Sequence, residues 1–185
     1  QSALNKNRSH TSNMSYRAEE KSAVSLAYII YTSGTTGRHR GVLVRQMGVV
    51  NLVFSHWLII GENSRSRVSQ VSSISFDAMV AEMWPCLLSG GNLCICDDET
   101  RMSPRLFKEW LIHRQITHAF QATAMAAALL KEEWPESSPL ALEVLRTGGD
   151  RLASYPTRRY PFRFFNLYGP TEDSVWTTWY EVEVP

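Results

Sequence analysis

The chain has 185 residues, enough for one well-buried core and too few for two full domains. With 44% hydrophobic and 20% charged residues it has an ordinary globular composition, and a net charge of +1 gives no basis for a nucleic-acid or anionic-membrane partner. No apolar run approaches the ~20 residues of a membrane span and no signal-peptide core is present. The cysteines Cys86, Cys94 and Cys96 lack CxxC spacing and read as reduced core thiols of a cytoplasmic protein.

Residues 1–23 are rich in Ser, Asn, Arg and Lys, carry no apolar periodicity and read as a disordered lead-in; 24–185 read as the folded unit. Strand-like runs follow at 25–31, 67–73, 92–96, 116–121, 143–147 and 163–168. Helix-like runs lie at 46–58, 77–88, 103–114, 123–133 and 151–159, with Ser103-Pro104 a helix start and Gly90-Gly91 a break. The alternation predicts right-handed βαβ units. The expected fold is a three-layer α/β/α domain with a mostly parallel, doubly wound, flavodoxin-like sheet.

In an open parallel sheet, ligands bind outside the carboxyl ends of the strands. The distinctive polar clusters fall there. A Gly- and hydroxyl-rich loop follows the first strand, and Phe76-Asp77 follow the second. Gln121 to Thr123 end the fourth, Gly148-Gly149-Asp150 follow the fifth, and Tyr168 to Glu172 follow the sixth.

The first of these clusters comprises Thr32, Ser33, Gly34, Thr35, Thr36 and Gly37, then Arg38, His39, Arg40 and Gly41. Glycines let backbone N–H groups converge on an anion, hydroxyls add donors and the cations offset charge, so the loop reads as a phosphate cradle. It is not a Walker loop, because the Gly-Lys-Ser/Thr ending is missing. His56 and His118 each sit inside an expected element with no carboxylate at metal or triad spacing, and read as structural.

Taken together, Tyr31 to Gly37 with Gly41, Ser75-Phe76-Asp77, Gly148-Gly149-Asp150 and Asn166 to Glu172 resemble the motifs of the adenylate-forming enzymes, in family order and over residues 24–180. That family includes acyl-CoA synthetases, luciferases and the adenylation domains of nonribosomal peptide synthetases, and the chain resembles the central part of its large domain. The resemblance implies ATP and Mg²⁺ as cofactors, with 32–41 on the β- and γ-phosphates. It places Tyr168 on adenine with Asn166 and Gly169 beside it, and Gly148, Gly149 and Asp150 against the nucleotide. Thr171 would bond the α-phosphate and Glu172 would ligate Mg²⁺. Two departures stand out: His39-Arg40 replace the family's Pro-Lys before Gly41, and Asp150 replaces its usual Glu. The loss of the rigid proline and compact ammonium puts ordinary ATP handling in doubt.

An aspartate directly after Phe, here Asp77, resembles the residue that pairs with the substrate's α-ammonium in the amino-acid-activating branch; it could equally cap the helix that follows. The corresponding pocket positions are Asp77, Ala78, Ala81, Gln121, Arg146, Gly148, Leu167, Val175 and Trp176. Arg146 either meets a polar, even anionic, substrate side chain, or turns to solvent or to Asp150. The expected role is ATP-dependent activation of an amino acid. Its partners would be a peptidyl carrier protein and the remainder of the adenylation domain, whose small C-terminal domain the sequence lacks. The alternatives are an acyl or aryl acid–CoA ligase fragment, which Asp77 argues against, and a binding module inactive on its own.

Overall fold

The computed structural model describes residues 23–33, 39–135, 140–153 and 155–183. β1 (Leu26–Ser33) and β2 (His39–Arg45) pair antiparallel, with Thr32 opposite Arg40 and Ser33 opposite His39. This hairpin is a sheet of its own. The expectation that 25–31 joins the parallel sheet is therefore corrected. The segment just after the loop also has β-branched alternation, in Val42 and Val44, and pairing with it closes only a short loop.

α1 (Gln46–Ser55) continues into a π-helical turn, His56–Ile60, closed by the Gly61 N–H on the His56 carbonyl at 3.0 Å. Gly61 ends it with φ +89°, a conformation that favours glycine. β3 (Arg67–Gln70), α2 (Ala78–Leu88) and β4 (Asn92–Ile95) then form the first parallel unit. α3 (Asp98–Arg101) and α4 (Pro104–His113) lead to β5 (His118–Ala122), α5 (Thr123–Leu129) and β6 (Val144–Gly148). β7 (Arg163–Tyr168), a 3₁₀ turn at Thr171–Asp173 and β8 (Thr178–Glu181) complete the described chain.

The six-stranded sheet has the order β4-β3-β5-β6-β7-β8. It is parallel except for β8, which returns antiparallel along β7. The chain winds from β3 outward to β4, then crosses back to β5 on the other side of β3. That reversal marks where a ligand crevice opens. Among the described residues, 151–159 form no helix, against expectation. Pro156 lacks an N–H and disfavours helical geometry in the residue before it. α5 stops at Leu129 rather than 133, and the Trp134 indole N–H bonds the Leu129 carbonyl at 3.1 Å, serving one of the helix's last acceptors.

Sequence signals account for α4 well. Ser103 accepts the Leu106 N–H, Pro104 occupies the first turn, and Phe107 and Leu111 lie one turn apart, both fully buried. They pack with Ala126 and Leu129 of α5 on the sheet face formed by Ala119, Leu145 and Phe164. Each large side chain buried there contributes about 1.5–3 kcal/mol. The opposite face presents Val144, Phe165 and Leu167, covered by Ile60 and Trp176. The three cysteines are buried and free, and burial pushes Cys86 and Cys96 up to about 11, as inert core thiols require.

Candidate functional site

Beyond the carboxyl ends of β3, β5 and β6 a cavity of about 630 Å³ opens at the reversal point. The nine sequence-derived pocket positions all lie in its wall. Asp77, Ala78 and Ala81 come from the start of α2, Gln121 from β5, Arg146 and Gly148 from β6, Leu167 from β7, and Val175 and Trp176 from the segment before β8. Gly149, Asp150 and Gly169 border the same space.

Asp77 precedes α2, yet its carboxylate makes no capping bond. The reason is local. The Met79 and Val80 N–H groups are taken by the carbonyls of Phe76 and Asp77, at 3.2 and 2.8 Å, so these N–H groups are already satisfied. The capping role is thus not adopted, and the carboxylate remains on the cavity wall. Beside it the Tyr28 hydroxyl is pushed up to about 12, chiefly by burial and further by the charge of Asp77.

Gly148 is required by packing: a Cβ there would stand 2.7 Å from the Leu167 carbonyl oxygen. Gly149 has φ +91°, which side chains rarely adopt. The Thr123 hydroxyl lies 3.1 Å from the Gly148 carbonyl and 3.2 Å from that of Asp150, tying this turn to the start of α5. Val175, β-branched, is held at φ +82°, a strained value in the cavity wall.

Beneath the cavity lies a buried polar network that the sequence reading did not assemble. Arg146 is 1% exposed and its Nη1 lies 3.0 Å from Glu62 Oε1. His56 Nδ1 is 3.1 Å from the same oxygen, and the Trp176 indole nitrogen is 3.1 Å from His56 Nε2. An indole N–H only donates, so Nε2 accepts and the histidine proton resides on Nδ1, donated to Glu62. The 2.8 Å approach of Arg146 Nη1 to Nδ1 is then the meeting of two donors on one carboxylate, not a bond between them. Arg146 therefore turns neither to solvent nor to Asp150, whose Oδ1 accepts the Arg151 N–H at 2.6 Å.

The electrostatics agree with that assignment. Burial holds His56 below its usual range, and Arg146 reinforces this against the Glu62 hydrogen bond. Burial alone would raise Glu62, but the Arg146 charge and the His56 hydrogen bond outweigh it and hold the carboxyl low. Burial, with the Arg146 charge, also pushes His118 down to about 4. Glu82 lines the cavity and accepts the N–H groups of Val71 and Ser72 at 3.1 and 3.0 Å. Burial nonetheless pushes it up to about 7.

The residues expected on the nucleotide are distributed differently. Thr32, Ser33, Arg40 and Gly41 flank the hairpin loop, while Gly34, Thr35, Thr36 and Gly37 lie outside the described residues. β2 packs against the turn that carries Thr171 and Glu172, so these two clusters are neighbours. Tyr168 is 71% exposed and Asn166 half-buried. None of Asn166, Tyr168, Thr171 and Glu172 lines the cavity itself. Among the described residues no three His, Cys, Asp or Glu side chains form a metal cluster.

A family profile described as AMP-binding enzyme matches residues 1–185. The chain belongs to the AMP-binding enzymes. Within that family it is 41% identical over 161 residues to a linear gramicidin synthase from Brevibacillus parabrevis, covering 87% of this chain and 3% of that protein. The Vibrio cholerae adenylation domain AlmE, solved with glycyl-adenosine-5'-phosphate, superposes with a TM-score of 0.75 at 25% identity, over 88% of this chain and 31% of that one. PA1221, an NRPS protein containing adenylation and PCP domains, gives 0.73 at 29% identity, over 88% and 33%. The AMP-binding chain thus has the fold of nonribosomal peptide synthetase adenylation domains and spans about a third of the length of these solved relatives. Among its described residues no helix is long and apolar enough to cross a membrane.

Glu62, His56 and Glu82 were the functional candidates the sequence did not yield. Arg146, directly after Val144 and Leu145, is a cation beside an apolar run, which is a signal, whereas Glu62 lies in the polar stretch 62–67 and gives none. His56 and Arg146 are 90 residues apart, and nothing local pairs them.

Proposed function

We propose that this chain is the part of an amino-acid-activating adenylation domain that holds the specificity pocket and the phosphate loop. The observation that carries this reading is Asp77. Its carboxylate lies in the wall of a largely apolar cavity, spared from helix capping, where an α-ammonium group would supply the charge partner. A fatty or aryl acid has no such group.

In the reaction, a carboxylate oxygen of the amino acid attacks the α-phosphorus of ATP, the bond to the bridging oxygen breaks, and pyrophosphate leaves with the electron pair. The chain's own contribution is to place two anions together. Asp77 fixes the amino end and so orients the carboxylate. The flanks of the hairpin loop, with Arg40, receive the β- and γ-phosphates. Tyr168 offers a ring for adenine, with Asn166 and Gly169 near it, and Gly148, Gly149 and Asp150 form the adjoining turn. Thr171 donates to the α-phosphate. Glu172 would hold Mg²⁺, which supplies charge neutralisation when bound. The aminoacyl adenylate would pass to a peptidyl carrier protein, with the remainder of the adenylation domain completing the enzyme.

Isothermal titration with non-hydrolysable aminoacyl-adenylate analogues tests the reading. The unaltered chain is expected to prefer an aminoacyl analogue over its des-amino counterpart, and Asp77→Ala to weaken the former while leaving the latter unchanged. Equal affinity of the unaltered chain for amino and des-amino analogues would refute it.

A further inference from the structure

The polar network beneath the cavity bears on which amino acid enters it. Arg146 and Gln121 both line the cavity and are 1% and 5% exposed. Arg146 Nε and Nη2 and Gln121 Nε2 are buried without a hydrogen-bond partner among the described residues. Unsatisfied buried donors cost about 1–3 kcal/mol each, so their presence in one cavity wall marks a place where an acceptor is expected. Val71, Ala81 and Leu167 make much of the remaining wall apolar, and Trp176 closes one side with its indole pinned by His56. Two kinds of side chain could serve these donors: a carboxylate or an uncharged carbonyl.

Charge decides between them. Glu62 sits 3.0 Å from the guanidinium, on the Nη1 side, and neutralises it. His56, bonded to the same carboxylate, is the neutral tautomer and adds nothing. Glu82 brings a second carboxyl group to the cavity wall. A substrate carboxylate would therefore be a second anion against one already neutralised cation, an uncompensated buried charge. A carboxamide meets the same donors without that penalty.

We propose that Glu62 is the built-in counter-ion of Arg146 and makes the pocket select an uncharged carboxamide side chain over its acidic or apolar isosteres. Arg146 and Gln121 donate to the amide carbonyl; Glu62, which need not touch the ligand, is a specificity-positioning residue. This inference rests on the amino-acid-activating reading above.

The test is calorimetric titration of the chain with non-hydrolysable adenylates of glutamine, glutamate and leucine. The glutamine analogue is expected to bind at least about tenfold more tightly than either other, equivalent to about 1.4 kcal/mol. Glu62→Gln keeps an acceptor for His56 and Arg146 but uncovers the guanidinium charge, so the glutamine-to-glutamate ratio should fall by about tenfold. Comparing two ligands on one variant cancels any general loss of folded protein, so a merely structural role would leave the ratio alone. Gln121→Leu should erase the preference over the leucine analogue, and it keeps the idea falsifiable should Glu62→Gln fail to fold. A wild-type chain that prefers glutamate or leucine, or a ratio unmoved by Glu62→Gln, overturns the proposal while amino-acid activation stands. Failure to bind any of the three overturns both.

Discussion

Replacing Arg146 with Met probes the network most directly, because the change keeps volume and removes only the cation. Glu62 would be left buried with His56 as its one donor among the described residues. Breaking a buried ion pair from one side costs about 3–5 kcal/mol. For a chain of this size that corresponds to a fall of about 6–20 °C in the unfolding midpoint. The pH dependence carries a second signature. In the unaltered chain Glu62 titrates below its ordinary value, so its contribution is present above the unfolded-state pKa and lost as pH falls. In the variant the Arg146 charge, the strongest influence holding it low, is gone and burial raises it above the unfolded value. The sign inverts: the carboxyl is then tolerated when protonated and penalised as pH rises. Thermal unfolding followed by circular dichroism at about pH 5 and about pH 8 reads both effects, the deficit being larger at the higher pH. Adding Glu62→Leu should recover part of the loss, because neither charge is then stranded. A deficit under ~1 kcal/mol, or one that grows on acidification, would refute the burial of this pair.

Three further outcomes follow from the same geometry. Asp77→Ala should weaken aminoacyl-adenylate analogues by about 10- to 100-fold, the loss of one charge-assisted hydrogen bond. Its stability in urea unfolding should move by less than ~0.5 kcal/mol, because the side chain caps nothing. Gly148→Ala should destabilise by about 1–3 kcal/mol in urea unfolding, since its methyl meets the Leu167 carbonyl across the β6–β7 pair; an unchanged midpoint would contradict that contact. Glu82, raised from 4.5 to about 7, is best tolerated below its unfolded value and costs stability as pH climbs through that window. Glu82→Gln should therefore flatten the stability profile between those values, as a series of melting curves would show.

Much of this architecture was legible because the relevant signals are local. Ser103-Pro104 announced α4, the short strand-like runs at 143–147 and 163–168 announced β6 and β7, and the glycine pair at 148–149 marked the turn beside the cavity. The nine pocket positions came from motif resemblance, and all nine lie around one space. What escaped was non-local or ambiguous. The run at 25–31 is as suitable for a hairpin as for a central strand, and only its pairing with 39–45 distinguishes the two. At 151–159 helix-forming residues were outweighed by Pro156. The use of Asp77 turned on which backbone groups its neighbours had already satisfied. The alternatives open to Arg146 were a polar substrate, solvent or Asp150, but its partner Glu62 is remote in sequence, reachable only once the sheet is assembled.

The π-helical turn has a consequence for how this stretch can vary in length. Its ring, closed from the Gly61 N–H to the His56 carbonyl, holds one residue more than an α-helical turn, and that residue sets the phase at which the chain leaves His56 toward Glu62. Removing one residue between Gln46 and His56 would swing the imidazole by about 100° around the helix axis, away from Glu62 and the Trp176 indole, and removing one between His56 and Gly61 would re-aim Glu62 instead. Leu58, 84% exposed, should tolerate exchange better than the residue count across 46–61 tolerates change. Insertions and deletions here should be felt in the cavity wall, through an indole that loses its anchor, before they are felt in the helix that carries them.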